Sequence, residues 1–329
     1  MYYKDYYDSN CNNCGDLNDI PGVLVGSAED KSGRTGCTVI LCPKGATPGV
    51  SVAGGAPATE LTDITRPGMR DYPVYATLLT GGSVYGLSAA RGVMRWIYEQ
   101  GIDQYPTVPT AAIFDLVYAE GSPPPDEELG YAACKAANRC PVKEGNVGAG
   151  AGATIGKFYG KPMKGGLGSA CIRIPGGPMV AALAVVNPLG DVWNHGKIIA
   201  GALNPDGTFV NQTNAMLDGV PSPLFQEAPN TTIAVIVTTA RLAKAETCRV
   251  ATLAHDGMAR AISPVHTQWD GDTVFCLALG THNEDWSEDA AITVVGTAAA
   301  VVLEKAIIRG TLAAQPDKNV YQSLHRAKI

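Results

Sequence analysis

The chain has no basic cluster. Its 25 lysines and arginines are scattered among 31 acidic residues, giving a mild net charge of −6. That argues against a partner whose nucleic-acid backbone is tracked by positive charge. The opening residues, Met1-Tyr-Tyr-Lys-Asp-Tyr-Tyr-Asp8, lack the apolar core of a signal peptide. The most apolar stretch, Ala290 to Leu303, reads as too short and too rich in small residues to span a bilayer, and is expected to form a buried helix. Together these absences predict a cytoplasmic protein with neither nucleic-acid nor membrane partners. None of the five histidines (His195, His255, His266, His282, His325) stands at a metal-ligand spacing or precedes a serine elbow. His266 is read as structural. Nine cysteines, an odd number spread along the chain, suit a reducing compartment. Cys11-Asn-Asn-Cys14 with Cys37 and Cys42 is the one set that suggests zinc, but no histidine completes a finger-like spacing. Two thiols in a polar arm are the plainer reading. There are no internal repeats.

With 46% hydrophobic residues in 329, the chain can bury a large core in one or two domains. Strands are expected at Gly22–Gly26, Cys37–Cys42, Tyr75–Leu79, Ala111–Tyr118, Gly168–Ile174, Met179–Val186, 233–239 and 273–280. Helices are expected over Ser83–Glu99, stopped by Gly101, over Glu127–Ala137, started by Asp126, and over Ala243–Ala261 and Glu288–Arg309. From Asn204 to Pro229 the chain is polar and turn-rich, a natural linker where a cut would be tolerated. The mixture predicts an α/β sandwich with helices outside two sheets.

The linker runs directly into Asn230-Thr231-Thr232-Ile233, at the seam with an apolar strand. As ordinary structure this is a loop end. If the Asn230–Thr231 bond were cut, however, Thr231 would carry an α-amine beside its own hydroxyl and become an N-terminal nucleophile. An α-amine has a pKa near 8 against about 10.4 for lysine, so roughly a tenth of it is already neutral at pH 7. Nucleophile and base would then share one residue.

Other candidates surround this one in the sequence. Asp270-Gly271-Asp272 can be read as a hairpin turn, as paired carboxylates able to steer a proton, or as a metal site. The stretch Gly145 to Lys157 fails the phosphate-loop pattern, with Ala151 and Phe158 where Gly and Ser/Thr belong. It reads instead as a loop that lets backbones approach closely, ending in a lysine. Asn187 leaves a buried strand just before Pro188 and is either a turn starter or an oxyanion donor. Tyr85, at a helix start after Gly81-Gly82, lines a pocket or fills a core.

Pro229-Asn-Thr-Thr-Ile-Ala-Val-Ile-Val-Thr-Thr239 and Val265-His-Thr-Gln-Trp-Asp-Gly-Asp-Thr-Val-Phe275 resemble the nylon-oligomer (6-aminohexanoate-oligomer) hydrolases, and the wider family of L-aminopeptidase/D-esterases and β-peptidyl aminopeptidases. Gly54-Gly-Ala-Pro57, Leu79-Thr-Gly-Gly-Ser-Val-Tyr-Gly-Leu87, Gly148-Ala-Gly-Ala-Gly-Ala-Thr-Ile-Gly-Lys157 and Ala184-Val-Val-Asn-Pro-Leu-Gly190 follow the family's order, from about residue 20 to about residue 310. The resemblance implies a four-layer αββα sandwich of the N-terminal-nucleophile-hydrolase kind, forming one structural domain. Autocleavage would divide it into 1–230, with a flexible arm over 1–20, and 231–329. It implies Thr231 as nucleophile, Asp270 and Asp272 holding it, and Lys157 and Asn187 in the catalytic centre. Tyr85 would contact substrate. The two fragments would stay associated in a homo-oligomer, a tetramer by the family's habit, that acts on small oligoamides or peptides. No metal or cofactor is required. The Asn-Thr junction looks more like the nylon-oligomer hydrolases than the aminopeptidases, where Gly-Ser is common.

Overall fold

Alternation along the buried strands decides the architecture. The computed structural model describes residues 15–219, 230–282 and 286–317. The Cys11/Cys14 arm, the end of the linker at Pro221–Pro229 and the tail with His325 lie outside the described residues. The first strands are β1 (Leu24–Glu29), β2 (Gly36–Val52), β3 (Thr59–Glu60), β4 (Val74–Thr80) and β5 (Thr110–Ala112). The short pair β6 (Thr154–Ile155) and β7 (Met163–Lys164) precedes β8 (Leu167–Arg173), β9 (Met179–Val185), β10 (Asp191–Asn194) and β11 (Lys197–Ala200). Past the linker come β12 (Ile233–Thr238), β13 (Ile262–Ser263) and β14 (Thr273–Ala278). The helices are α1 (Ser83–Gly86), α2 (Ala89–Glu99), α3 (Glu127–Ala136), α4 (Gln212–Leu217), α5 (Lys244–Ala261) and α6 (Glu288–Ala313).

The main sheet runs β3-β5-β4-β2-β14-β12-β9-β8, with β1 also on β2. Strand β2 serves two halves. Its Cys37–Leu41 segment pairs with β4, its Thr47–Val52 segment pairs with β14, and the register shifts between Leu41 and Ala46. Side chains alternate across each half. On β12, Ala234 and Ile236 face a core under α5 and α6, whereas Ile233, Val235 and Val237 face a second core between the halves. On β2, Ile40 joins that central core, while Cys37, Val39 and Leu41 face a third core under α2 and α3. Helices, sheet, sheet and helices therefore stack as a four-layer α/β sandwich.

Several expectations need correction. The helix over 83–99 divides into α1 and α2, with Tyr85 O at the join accepting from Ser88 N–H at 3.3 Å and from the Ser88 hydroxyl at 2.9 Å. The strand over 111–118 stops at Ala112. Beyond it the chain turns so that the Asp115 carboxylate accepts from Gly82 N–H and the Thr35 hydroxyl, each at 2.7 Å. Within the described part of the linker, Asn211 caps α4 through Asn214 N–H. Helix α6 extends to Ala313. At 26 residues it is long and apolar enough by composition to cross a membrane, although it packs on α5, β8 and β9. Cys37 and Cys42 point into different cores, so β2 does not present them to one ion. Asp126 caps α3 as expected, accepting from Leu129 N–H at 3.0 Å.

The outer layer depends on close approach of α5 and α6. A Cβ on Gly257 would lie 1.9 Å from Ala300 O. Gly257→Ala should therefore cost about 1–3 kcal/mol of stability through overpacking, despite alanine's helix preference of about 1 kcal/mol. A urea midpoint that stayed level or rose would mean the two helices have room to separate.

Candidate active site

Strand pairing assembles the site. β12 runs parallel to β14 with Ile233 opposite Thr273, and antiparallel to β9 with Ile233 opposite Val185. The residues just outside those pairs are therefore brought together: Asn230–Thr232, Asp270–Asp272 and Asn187. The bridge between Asn230 and Asp270 continues the parallel pairing backwards. This geometry removes the hairpin reading of Asp270-Gly271-Asp272, because β14 pairs with β12 and β2 and does not fold back on the residues before it.

Thr231 is buried, at 3% exposure. Its backbone N–H donates to Asn187 O at 3.0 Å, and its hydroxyl donates to Asn230 O. That same Asn230 carbonyl accepts from Gly271 N–H at 2.9 Å. The Asp272 carboxylate accepts from Thr232 N–H at 2.7 Å through one oxygen. Its other oxygen takes His266 N–H at 3.0 Å and lies 2.7 Å from His266 Nδ1. Asp270 accepts from Leu189 N–H at 3.2 Å, Thr267 N–H at 3.1 Å and the Thr267 hydroxyl at 2.6 Å. Gly54–Pro57 lies across this loop, with Ala56 N–H donating to Asp270 O at 2.8 Å. A Cβ on Gly54 would sit 2.2 Å from Asp270 O, which explains why a glycine stands there.

Lys157 is buried, not a surface lysine. Its ammonium donates to Thr154 O at 2.7 Å, Asn187 O at 3.0 Å and Asn187 Oδ1 at 2.8 Å. Asn187 O is thus shared by Lys157 Nζ and Thr231 N–H. Burial lowers the Lys157 pKa to about 7; the nearby Lys164 pushes the same way, while Asp270 and Asp115 oppose it. Burial and then the charge of Asp272 raise Asp270 to about 6, against the hydrogen bonds it receives. The Asn187 amide donates to Phe114 O at 3.3 Å. Tyr85 stands apart on α1 with its side chain 66% exposed.

Sequence reasoning missed four neighbours. His266 reaches Asp272, and Thr267 reaches Asp270. Behind Phe114, Asp115 is buried and its pKa is raised by desolvation. Lys164 is also buried, donating to Ala151 O at 2.7 Å with its ammonium 3.7 Å from the Tyr118 ring centroid, and burial lowers it to about 7. A Thr three residues before an Asp was a visible turn signal, whereas Asp115 and Lys164 meet the site only through tertiary folding. Among the described residues no group of three His, Cys, Asp or Glu side chains could hold a metal. A cavity of about 640 Å³ lined by Asn18, Glu29, Asn138 and Cys140 includes none of these site residues.

The model of peptidase family S58 matches residues 15–322. The chain is 39% identical to an uncharacterized aminopeptidase of Mycobacterium leprae, over 91% of this chain and 90% of that one. It is 35% identical to a 6-aminohexanoate-oligomer endohydrolase of Kocuria sp., over 79% of this chain and 73% of that one. The solved L-aminopeptidase D-Ala-esterase/amidase of Ochrobactrum anthropi, a variant of the Ntn hydrolase fold, superposes with a TM-score of 0.69 at 20% identity. That match covers 92% of this chain and 86% of the other, and the four-layer sandwich shares its fold.

The lysine makes a pH-dependent prediction. In a Thr231→Ala chain, ¹³Cε NMR should find Lys157 titrating near pH 7 instead of the ordinary 10.5. Lys157→Met in the same background should remove that signal and assign it. Because the folded value is depressed, the unfolded chain binds more protons between these two pH values. The contribution of Lys157 to stability should therefore be lowest below about pH 7 and rise with pH across that window. Lys157→Met should flatten the rise, and a lysine titrating at its ordinary value would contradict the burial described above.

Proposed function

The chain belongs to peptidase family S58 and is a hydrolase of amide bonds, and from that premise we propose that it cuts itself between Asn230 and Thr231 to expose Thr231 as an N-terminal nucleophile. One observation carries this reading: the Thr231 hydroxyl lies on the carbonyl of the residue before it, and Gly271 N–H holds that carbonyl from the loop that leads into β14. Thr231 Oγ attacks the Asn230 carbonyl carbon, and Gly271 N–H meets the negative charge that develops on the oxygen. The C–N bond breaks, nitrogen takes the proton that Oγ gives up, and Asn230 is left as an ester on Oγ. Water then cleaves the ester, giving an Asn230 carboxylate and a Thr231 with free hydroxyl and amine.

The new amine inherits the place of the peptide N–H, against Asn187 O. The Lys157 ammonium donates to the same oxygen, and a cation there disfavours a second positive charge on the amine. Thr231 can then pass its hydroxyl proton to its own amine as Oγ attacks a substrate carbonyl. The amine returns that proton to the leaving nitrogen, and water releases the acyl group. Asn187 and nearby backbone N–H groups stabilise the oxyanion, Asp270 and Asp272 hold the loop around Thr231, and Tyr85 contacts substrate at the rim. The fragments 1–230 and 231–329 stay together because β12 lies between β9 and β14, within a homotetramer.

Linear 6-aminohexanoate-type oligoamides are the leading substrates, supported by the Asn-Thr junction and the Kocuria relative. Release of N-terminal residues from short peptides is the second reading, favoured by the mycobacterial relative, which matches more of the chain. Mass spectrometry of products from both substrate types separates the two.

Under denaturing conditions the wild type should give two masses that break at Asn230–Thr231. Thr231→Ala should stay whole and lose amide hydrolysis by about 10³-fold or more, while Thr231→Ser should still mature. An uncut wild-type chain, or a mutant that matures and hydrolyses amides, would sink the proposal. Gly271→Ala keeps the backbone N–H but places a Cβ 2.7 Å from Thr231 Oγ, so maturation should slow by at least about 10-fold. An unchanged rate there would show that the hydroxyl does not need its present position.

A further inference from the structure

His266 is tied to Asp272 at two points. Its backbone N–H donates to Oδ2 at 3.0 Å, and Nδ1 lies 2.7 Å from the same oxygen. With Asp272 as the acceptor, Nδ1 carries the proton. The two contacts are possible together because His266 adopts a left-handed backbone, φ +56°, uncommon for a residue with a side chain. The other Asp272 oxygen takes Thr232 N–H at 2.7 Å, one residue after the hydroxyl that lies on Asn230 O. His266, Asp272, Thr232 and Thr231 thus form one continuous connection. Asp272 is 1% exposed, so without these donors its charge would be stranded.

The surroundings narrow what His266 can be doing. Its ring meets His255 of α5 edge to face, with centroids 4.7 Å apart. Burial, and then the charge of His266, depress His255 to about 4, against weaker opposing effects from Ser51 O, Asp272 and Asp256. His255 therefore stays neutral over the range where a protein works. Asp270 stands beyond Asp272, raised in part by it.

We infer that His266 is a positioning residue for the self-cleaving centre, an inference that rests on the role proposed for Thr231. It holds the Asp272 carboxylate in its orientation, and through Thr232 N–H it sets the angle at which Thr231 Oγ meets the Asn230 carbonyl. No proton moves between His266 and the reacting atoms.

Three substitutions separate this role from a merely structural one. His266→Gly relieves the left-handed backbone but removes the side-chain donor. His266→Asn also tolerates that backbone, and its amide nitrogen, a donor, stands as many bonds from Cα as Nδ1 does. His266→Ala loses the donor and keeps the strain. Maturation of the full chain, followed by intact mass, should slow by about 10–100-fold in the glycine and alanine variants. It should return to within a few-fold of wild type with asparagine. A glycine variant as fast as wild type, or an asparagine variant as slow as alanine, would overturn the inference.

A second measurement does not depend on cleavage. In the uncut Thr231→Ala chain, the ¹⁵N shift of the Thr232 amide should move when His266→Gly is added, and should return toward its starting value when His266→Asn is added instead. A Thr232 amide blind to His266 would overturn the connection even if wild type matures normally. An uncut wild type would instead refute Thr231 as nucleophile, and the amide shift would still decide whether His266 positions Asp272.

Discussion

The parallel pairing of β12 with β14 is the constraint on which the site depends. Parallel neighbours enter a sheet from the same side, so the segments that precede them meet at one edge. Here that edge gathers Asn230–Thr232 and Asp270–Asp272, and β9, antiparallel on the other flank of β12, delivers Asn187 to the same place as it leaves the sheet. No loop has to search for its partner. A one-residue slip of β14 against β12 would reverse which side chains face the central core, placing Phe275 and Leu277 in the wrong layer. Packing of the two cores and geometry of the site are therefore set by the same register.

Within this frame the charges are few, buried and arranged in opposition. Lys157 is held down by burial, Asp270 is held up by burial and by Asp272, and the charge of Asp270 opposes the shift of Lys157. Such an arrangement is costly unless every lone pair and proton has a partner. The structure meets that condition with backbone groups: Thr154 O and Asn187 O for the lysine, Leu189, Thr267, Thr232 and His266 N–H for the carboxylates. Backbone donors and acceptors do not rotate, so the charges they hold are pre-oriented. Asn187 O is the clearest case, because one carbonyl locates both Thr231 N and Lys157 Nζ.

How much of this was legible in the sequence follows from the range of each interaction. The β12 run, α5, and the Asp126 cap of α3 are local patterns, and they appear where apolar periodicity and capping residues put them. Layering was suggested by the mixture of elements and specified by the family resemblance, since no local pattern says that β2 spans two halves of a sheet through Pro43 and Gly45. Thr231, Asp270, Asp272, Lys157 and Asn187 were found as residues, and the structure brings them together. Their electrostatics were hidden, because burial of Lys157 depends on packing. His266 was dismissed for lacking a metal spacing, although the bond it makes is to a carboxylate six residues on, in a turn whose backbone sign the sequence does not advertise.

The absence of side chains matters as much as their presence. Gly271 lies between Thr231 Oγ and Ala56 O, each 2.7 Å from where a Cβ would be, and Gly54 allows the segment after β2 to approach the Asp270 loop closely. A bulky residue at either place would push apart the segments whose contact makes the site, without altering any charged group. Glycine also leaves Gly271 N–H free of a neighbouring side chain on the line to the Asn230 carbonyl. Under the proposed reaction this has a further consequence. The tetrahedral centre formed at Asn230 and the one later formed on substrate must both fit around the same Oγ, and the first leaves as a carboxylate before the second can enter. The space that Gly271 keeps open is therefore needed twice, once for the chain's own carbonyl and once for the carbonyl it will cleave.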